Sequence, residues 1–368
     1  MNQKIKKTPK APFRYVLALF LTIFFLIAAG LCSRLLPALS TRADTSGNDS
    51  DFTIHFIDVG QADAALVLCD GKSMLIDGGN TEDSSLIYSY LEKLDIRHLD
   101  YVVCTHAHED HVGGLSGALN FAEAETILCP VTTYESKAFK SFQKYVSQQN
   151  KSITVPKAGD TYPLGSSTLQ ILGPLRGSDN TNNTSIVMKI IYKDTSFLFT
   201  GDAEREEEQD ILASGCDLSS TVLKVGHHGS DTSTSYPFLR EIMPEYAVIS
   251  VGKNNSYGHP SENTLSRLRD AGVQIFRTDQ LGDIICSSDG KTVSFRTGNK
   301  AVFADEANEV TSESSPEYDY VLNTNTKKFH LPSCPSINDI KEKNKKQFSG
   351  TREDAIADGY SPCGRCKP

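Results

Sequence analysis

Tryptophan is absent from the 368 residues, so the chain has no indole platform for sugars and no Trp-rich wall-binding repeat, although 14 tyrosines are available for other aromatic surfaces. A disulfide framework is missing too. Nine cysteines are an odd number, and Cys69, Cys104, Cys129, Cys216 and Cys286 are scattered at long intervals, several within apolar runs. A thiol in such a run reads as a small buried hydrophobe. The bulk of the chain also lacks excess positive charge: residues 51–298 hold 20 basic and 33 acidic residues, a net −13. That excludes a module coating nucleic acid by charge alone, so any nucleic-acid role is local or carried by metal ions and the tail. No short-period repeat is visible. With 39% hydrophobic and 23% charged residues, 26 Gly and 15 Pro, the chain is not collagen-like, coiled-coil or disordered throughout.

Acidic residues are missing from the first 40 positions, which carry six Lys/Arg. Lys4, Lys6, Lys7, Lys10 and Arg14 precede an uncharged run of 17 residues from Tyr15 to Leu31. That is short for a spanning helix and long for a signal-peptide core, so the run is either a cleaved signal or a retained anchor. In both cases the basic flank stays cytoplasmic and the rest is exported. An extracellular protein, or one anchored in the membrane and facing outside, is expected. The chain then divides into residues 1–50 (signal or anchor plus polar linker), a main domain at 51–298, an acidic Ser-rich linker at 299–317 and a small module at 318–368. This last module holds nine basic and six acidic residues, a net +3.

Within the main domain, FTIHFIDVG, AALVLCDG and SMLIDGG read as a strand meander, and SSLIYSYLEKL as an amphipathic helix. Further strands and helices alternate in two similar halves, among them the helices AEREEEQDILASG, closed by Gly215, and SENTLSRLRDAG, opened at Ser261 or Pro260. The fold class is α/β (α+β). Directly after the strand DYVVC comes Thr105-His106-Ala107-His108-Glu109-Asp110-His111. Three imidazoles and a carboxylate at one strand end suit Zn²⁺, and also Mn²⁺ or Fe²⁺. At later strand ends stand Asp202 in FTGDAE, His227 and His228 in KVGHHGS, and His259 in NSYGHP.

In this order HFIDVGQADAALV, LIDGG, THAHEDHVGGL, TGDAE, LKVGHHGS and YGHP resemble the metallo-β-lactamase superfamily. More narrowly, over about residues 52–297 they resemble the extracytoplasmic domain of ComEC-type competence proteins. The channel's own membrane helices are missing from this sequence, which implies its soluble part exported by itself. The resemblance implies an αββα four-layer sandwich with two divalent metals, Zn or Mn, at the shared edge of two sheets. It assigns His106 and His108 to the first metal, Asp110 and His111 to the second, and Asp202 as the bridge. His228, or else His227, completes the second metal. His259 contacts a phosphate oxygen or protonates the leaving group, or exchanges roles with His228. Asp110, His228 and His259 form the expected catalytic set. His227, Ser230 and Lys224 are the expected substrate donors, Lys224 being alternatively a solvated strand-end lysine. Asn182 and Asn183 occupy the region where superfamily hydrolases usually place a further histidine. The bridging Asp202 implies phosphodiester or thioester chemistry in preference to lactam hydrolysis.

In the tail, His330-x3-Cys334 and Cys363-x2-Cys366 have zinc-knuckle spacing, and YVLNTNTKKFHLPSC…REDAIADGYSPCGRC is similar to the small Ada-type metal-binding module. One structural Zn is expected there, with a Cys363–Cys366 disulfide as the alternative. His330 stands where the Ada pattern has a cysteine. Lys327, Lys328, Lys341, Lys343, Lys345, Lys346 and Arg352 read as a DNA-touching element or as a solvated charged helix in KEKNKKQ. The first functional expectation is an exported metal-dependent phosphodiesterase or nuclease acting on DNA. The alternatives are a surface phosphorylcholine-type esterase and a non-catalytic DNA-binding competence accessory. Expected partners are DNA or another phosphodiester and, through the N-terminal segment, a membrane; no obligate protein partner is evident.

Overall fold

The computed structural model describes residues 52–297, 300–302, 318–332, 334–350, 355, 358–363 and 365–366. The basic N-terminus and apolar run, residues 303–317 of the expected linker, and Arg352 lie outside the described residues. Among the described residues no helix is long and apolar enough to cross a membrane.

The chain opens with β1 (Phe52–Phe56), β2 (Ala65–Cys69) and β3 (Lys72–Ile76), paired antiparallel as the meander predicts. Helix α1 (Ser84–Lys93) then crosses over to β4 (His98–Val103), which runs parallel to β3. The strands Ile284–Ser288, Val293–Thr297 and Lys300–Val302 return to pair outside β1, completing a nine-stranded sheet. The segment read as a linker from 299 therefore begins with a strand. A second sheet of seven strands spans Thr161–Leu164 to Gln274–Arg277.

Period-2 alternation explains how the sheets stack. Phe52, Ile54 and Phe56 of β1 and Ala65, Val67 and Cys69 of β2 point inward and pack on Met188, Ile190, Phe197 and Phe199 of the second sheet. Leu66 points the other way and packs with Ile87 and Leu91 of α1, and with Phe139 and Phe142 on the helix Lys137–Gln148. On the second sheet, Val187 and Leu198 face outward against Ile211, Phe238 and Leu268, each on its own helix. Helices cover both outer faces, so the arrangement is αββα. Both predicted helix ends are where the caps put them: Ser261 accepts a hydrogen bond from the Thr264 amide, and Gly215 closes its helix at φ 69°.

The tail is a separate four-stranded sheet containing Tyr318–Asn323, Lys328–His330, Lys345–Gly350 and Ser361–Pro362. Its lysine-rich KKQ segment lies on a strand, not on the helix considered above. That strand pairs antiparallel with Tyr318–Asn323, and a single short turn at Glu342–Asn344 precedes it.

One core position runs against the usual preference. Glu207, on the helix Arg205–Ser214, is 3% exposed, and neither carboxyl oxygen has a hydrogen-bond partner. Burial, helped by the nearby Asp210 and Glu208 charges, pushes its pKa from 4.5 to about 9. Between those values the unfolded chain releases a proton that the folded chain keeps, so stability falls as pH rises. Glu207→Gln is expected to raise the melting temperature more at pH 8 than at pH 5. The free-energy gain should grow by at most about 1.4 kcal/mol per pH unit, the value for one proton. Melting curves across that range check this, and a gain independent of pH would show that Glu207 is not held protonated.

Candidate metal centre

Two sheets stacked face to face bring their strand ends together along one edge of the sandwich, and each histidine or aspartate cluster singled out in the main domain sits at that edge. β4 delivers Thr105 to His111, whose short helix Glu109–Val112 turns back over the edge. Close backbone packing holds that turn down: a Cβ on Gly114 would fall 1.9 Å from the Gly78 carbonyl oxygen, so THAHEDHVGG can seat on LIDGG only with glycine there. The second sheet contributes Asp202 after Thr195–Phe199 and the Gly226–Gly229 turn after Val222–Lys224. Within that turn His227 and His228 both sit at φ 51°, a left-handed conformation costing on the order of 1 kcal/mol or more each. Gly229, at φ 83°, has Pro260 against it, where a Cβ would approach to 2.6 Å. The HHGS and YGHP motifs are thus two sides of one contact.

Asp202 is 2% exposed and lies between the groups. Its Oδ1 is 3.2 Å from His111 Nε2; its Oδ2 is 3.8 Å from His106 Nε2, 3.6 Å from His227 Nε2 and 3.9 Å from His228 Nε2. His106 Nε2 is 3.1 Å from His108 Nδ1, and His228 Nε2 is 3.3 Å from Asp110 Oδ2. Donor atoms of Asp110, His111, Asp202 and His228 all lie within 4.8 Å of one another. Asp202 Oδ1, His111 Nε2 and His228 Nε2 are buried without any hydrogen-bond partner. Buried polar atoms are normally satisfied, so three orphans converging on one point fit a bound cation. Above them opens a groove of about 320 Å³, lined by Gln61, His108, Asp110, Asn182, Tyr257 and His259 among others.

Charge explains the rest of the local electrostatics. Burial opposes a proton on His111, yet Asp202 and Asp77 outweigh it and hold the imidazole well above its ordinary pKa. Burial likewise opposes His228, but Asp63 and Asp202 push it up to about 10. His106 goes the other way, driven well below its usual value by burial and by His111. Without metal, protons on His111 and His228 take the place of the cation.

The expected donors divide in two. His227 lines the groove, with Nδ1 3.4 Å from Glu204 Oε1. Lys224 and Ser230 do not serve the groove. Lys224 is 4% exposed and donates to Asp63 Oδ2 at 2.7 Å and to the Val225 carbonyl at 3.1 Å, so it is neither a phosphate donor nor a solvated strand-end lysine. Ser230 Oγ accepts from the Thr232 amide inside its own turn. Of the two asparagines, Asn183 is committed to Glu204 and Glu206, while Asn182 lines the groove with an unpartnered Oδ1.

Several functional positions had no assigned role in the sequence. Asp77 accepts from His111 Nδ1 at 2.8 Å and from the Thr105 amide and hydroxyl at 2.7 Å each. Such a partner fixes which imidazole nitrogen faces the metal. Asp63, Gln61 and Asn255 support His228 and His259 from behind. Gln61 and Asp63 in GQAD and Asp77 in LIDGG stood in visible motifs, but nothing local shows that a histidine 34 to 198 positions away leans on them.

A family model described as the metallo-beta-lactamase superfamily matches residues 57–253. The chain belongs to that superfamily. A second, the metal binding domain of Ada, matches residues 309–368. The chain is similar to ComE operon protein 3 of Bacillus subtilis, 27% identical over 70% of this chain and 35% of that protein. It is also similar to competence protein ComA of Neisseria gonorrhoeae, 28% identical over 73% of this chain and 37% of that one. The chain thus spans about a third of the length of these curated relatives. Among solved structures, the metallo-beta-lactamase fold protein YhfI of Bacillus subtilis aligns over 67% of this chain and 100% of its own, at 13% identity and a TM-score of 0.44. The main domain is a metal-dependent hydrolase domain of this superfamily, and the tail is an Ada-like metal-binding domain.

In the Ada-like domain, donor atoms of His330, Cys334, Cys363 and Cys366 lie within 4.8 Å of one another. Both ring nitrogens of His330 are buried without a partner, and the Arg365 amide donates to Cys363 Sγ at 3.4 Å. This donor set fits Zn²⁺.

Metal uptake by the main site should release protons near pH 7, because His228 holds one until a cation displaces it. Apparent affinity is then expected to rise with pH. Calorimetry in two buffers of different ionisation enthalpy reads the proton count directly, and no net release would mean that the imidazoles are neutral before metal arrives.

Proposed function

We propose that this protein is an exported phosphodiesterase that cleaves DNA at a dinuclear metal centre. The observation that carries the reading is Asp202: one buried carboxylate with its two oxygens turned to different imidazoles, under an open groove. His106 and His108 would hold one ion, Asp110, His111 and His228 the other, with Asp202 shared. When bound, such a pair activates water near neutral pH and neutralises the non-bridging oxygens of a phosphodiester. The chain's own residues do the remainder. Asp110 and Asp202 would supply negative charge to offset that of the bound cations. The His227 ring stands 5.7 Å from that of His259, and both line the groove, where their nitrogens can reach phosphate oxygens. Tyr257, 72% exposed, stacks on His259 with ring centroids 5.7 Å apart and offers an aromatic face to a flanking base.

DNA is favoured as substrate by the competence relatives and by the tail. Lys327, Lys328, Lys341, Lys343 and Lys346 are all exposed on the Ada-like domain, whereas the main domain is net −13 before metals. The basic leader and its 17-residue apolar run support export or membrane anchoring. Third and separate, a structural Zn²⁺ at His330, Cys334, Cys363 and Cys366 would stabilise a domain too small to rely on its core.

Purified residues 41–368 are expected to hydrolyse single- or double-stranded DNA with Mn²⁺ or Zn²⁺. Asp202→Ala and Asp110→Ala should each abolish turnover and lower bound metal while leaving the melting temperature of the metal-free protein within a few degrees. Wild-type rates in either variant would show that the centre is misassigned.

Deleting residues 318–368 should raise KM for long DNA at low salt, an effect that fades as salt rises because lysine–phosphate contacts act by counterion release. Hydrolysis of bis-p-nitrophenyl phosphate should be unchanged. A truncated protein with the same KM at low salt would mean that the tail does not touch DNA.

A further inference from the structure

The loop Val59–Asp63 between β1 and β2 reaches two of the histidines at the groove, and it meets them with opposite chemistry. At His228, Nδ1 faces only acceptors: the Ser250 carbonyl at 3.1 Å and Asp63 Oδ1 at 3.2 Å. Two oxygens keep a proton on that nitrogen, so when a cation displaces the ring's other proton the lone pair it meets is on Nε2, the atom turned toward Asp110 and Asp202. Asp63 is itself held in place. Lys224 binds its other oxygen at 2.7 Å, its amide donates to the Asp110 carbonyl, and its carbonyl accepts from the Gly79 amide.

At His259 the polarity is reversed. The Gln61 side chain is oriented by a backbone donor: the Gly252 amide gives its hydrogen bond to Oε1 at 3.0 Å, so the other end of the amide must be the NH₂. That NH₂ lies 3.5 Å from His259 Nδ1. A donor facing Nδ1 needs a lone pair there, which in a neutral ring puts the proton on Nε2. The backbone that carries the ring is fixed, and the Tyr257 and His227 rings pack on the imidazole itself. Asn255 grips the backbone on both sides of the imidazole, accepting from the His259 and Tyr257 amides and donating to the His259 and Gly252 carbonyls. Gly252 packs so tightly on the loop that a Cβ there would lie 2.6 Å from the Gln61 nitrogen.

We infer that this one loop assigns the two histidines their roles: Asp63, whose carboxylate stands beside Nδ1 together with the Ser250 carbonyl that accepts from it, makes His228 a ligand through Nε2, and Gln61 makes His259 a hydrogen-bond donor through Nε2–H. His259 in this state does not bind the metal ion and does not exchange roles with His228. Its Nε2–H is a donor for an anionic oxygen of the substrate, a step that moves no proton. Gln61 and Asp63 act through these rings and are positioning residues. Only the consequence for turnover rests on the phosphodiesterase reading; the tautomers do not.

The test is nitrogen-15 NMR of the imidazoles in the Zn²⁺-loaded protein, residues 41–368, with His259 assigned through His259→Gln. The wild type should show His259 protonated at Nε2 and bare at Nδ1. Gln61→Glu keeps the acceptor for the Gly252 amide but turns a second acceptor toward the ring, so Nδ1 should become protonated. Gln61→Met, which offers the ring no donor, should give a mixture of tautomers. In both variants metal content should stay at the wild-type value, and kcat for a phosphodiester should fall about tenfold or more. Asp63→Asn should instead lower metal affinity about tenfold to a hundredfold and leave the His259 spectrum as it was. A wild-type His259 protonated at Nδ1, or a tautomer that ignores Gln61→Glu, overturns the inference. A wild type with the stated tautomers but no phosphodiester turnover overturns the functional reading and leaves the loop's role standing.

Discussion

Asp202 is a carboxylate in a place that excludes water, and the active edge of the fold is arranged around that fact. An ionised group at 2% exposure is costly unless opposite charge or donors surround it. Here His106, His111, His227 and His228 approach it from two separate chain segments. Those segments can meet only because both sheets end their strands on the same side of the sandwich. The apolar interior of Phe52, Phe56, Phe197 and Phe199 holds the sheets in register, and the polar edge takes its geometry from that packing.

Behind the ligands stands a second set of charges doing work that the groove never sees. Asp77 orients His111, and the buried Lys224–Asp63 pair orients His228. A buried ion pair contributes little to stability once its desolvation is counted, and its value here lies in fixing which ring nitrogen points outward. The same logic reaches His259 through a neutral amide.

The Ada-like domain sets its cluster of metal-binding residues to a different problem. Its core is a few side chains, Tyr320, Leu322, Phe329, Ala355 and Tyr360, and a cluster of four metal-binding residues supplements it. In the main domain, by contrast, three large apolar clusters carry the fold and metal is left free for function.

What the sequence by itself determined is local. Alternating apolar residues marked the strands, Ser261 and Gly215 marked helix ends, and the density of histidine in THAHEDH marked a metal site, because each depends on neighbours a few positions away. Asp202, His228 and His259 were legible for the same reason: each follows a strand and stands in a recognisable motif. The tertiary structure alone decided what those motifs do to one another. Lys224 looked like a strand-end lysine until Asp63, 161 positions earlier, was found 2.7 Å from its ammonium. Gln61 and His259 are 198 positions apart, Asp77 and His111 are 34 apart, and neither pairing leaves a periodic trace. Periodicity records which face of an element is buried; it does not record what waits on the other side. That information exists only once two sheets have stacked and their loops share one edge.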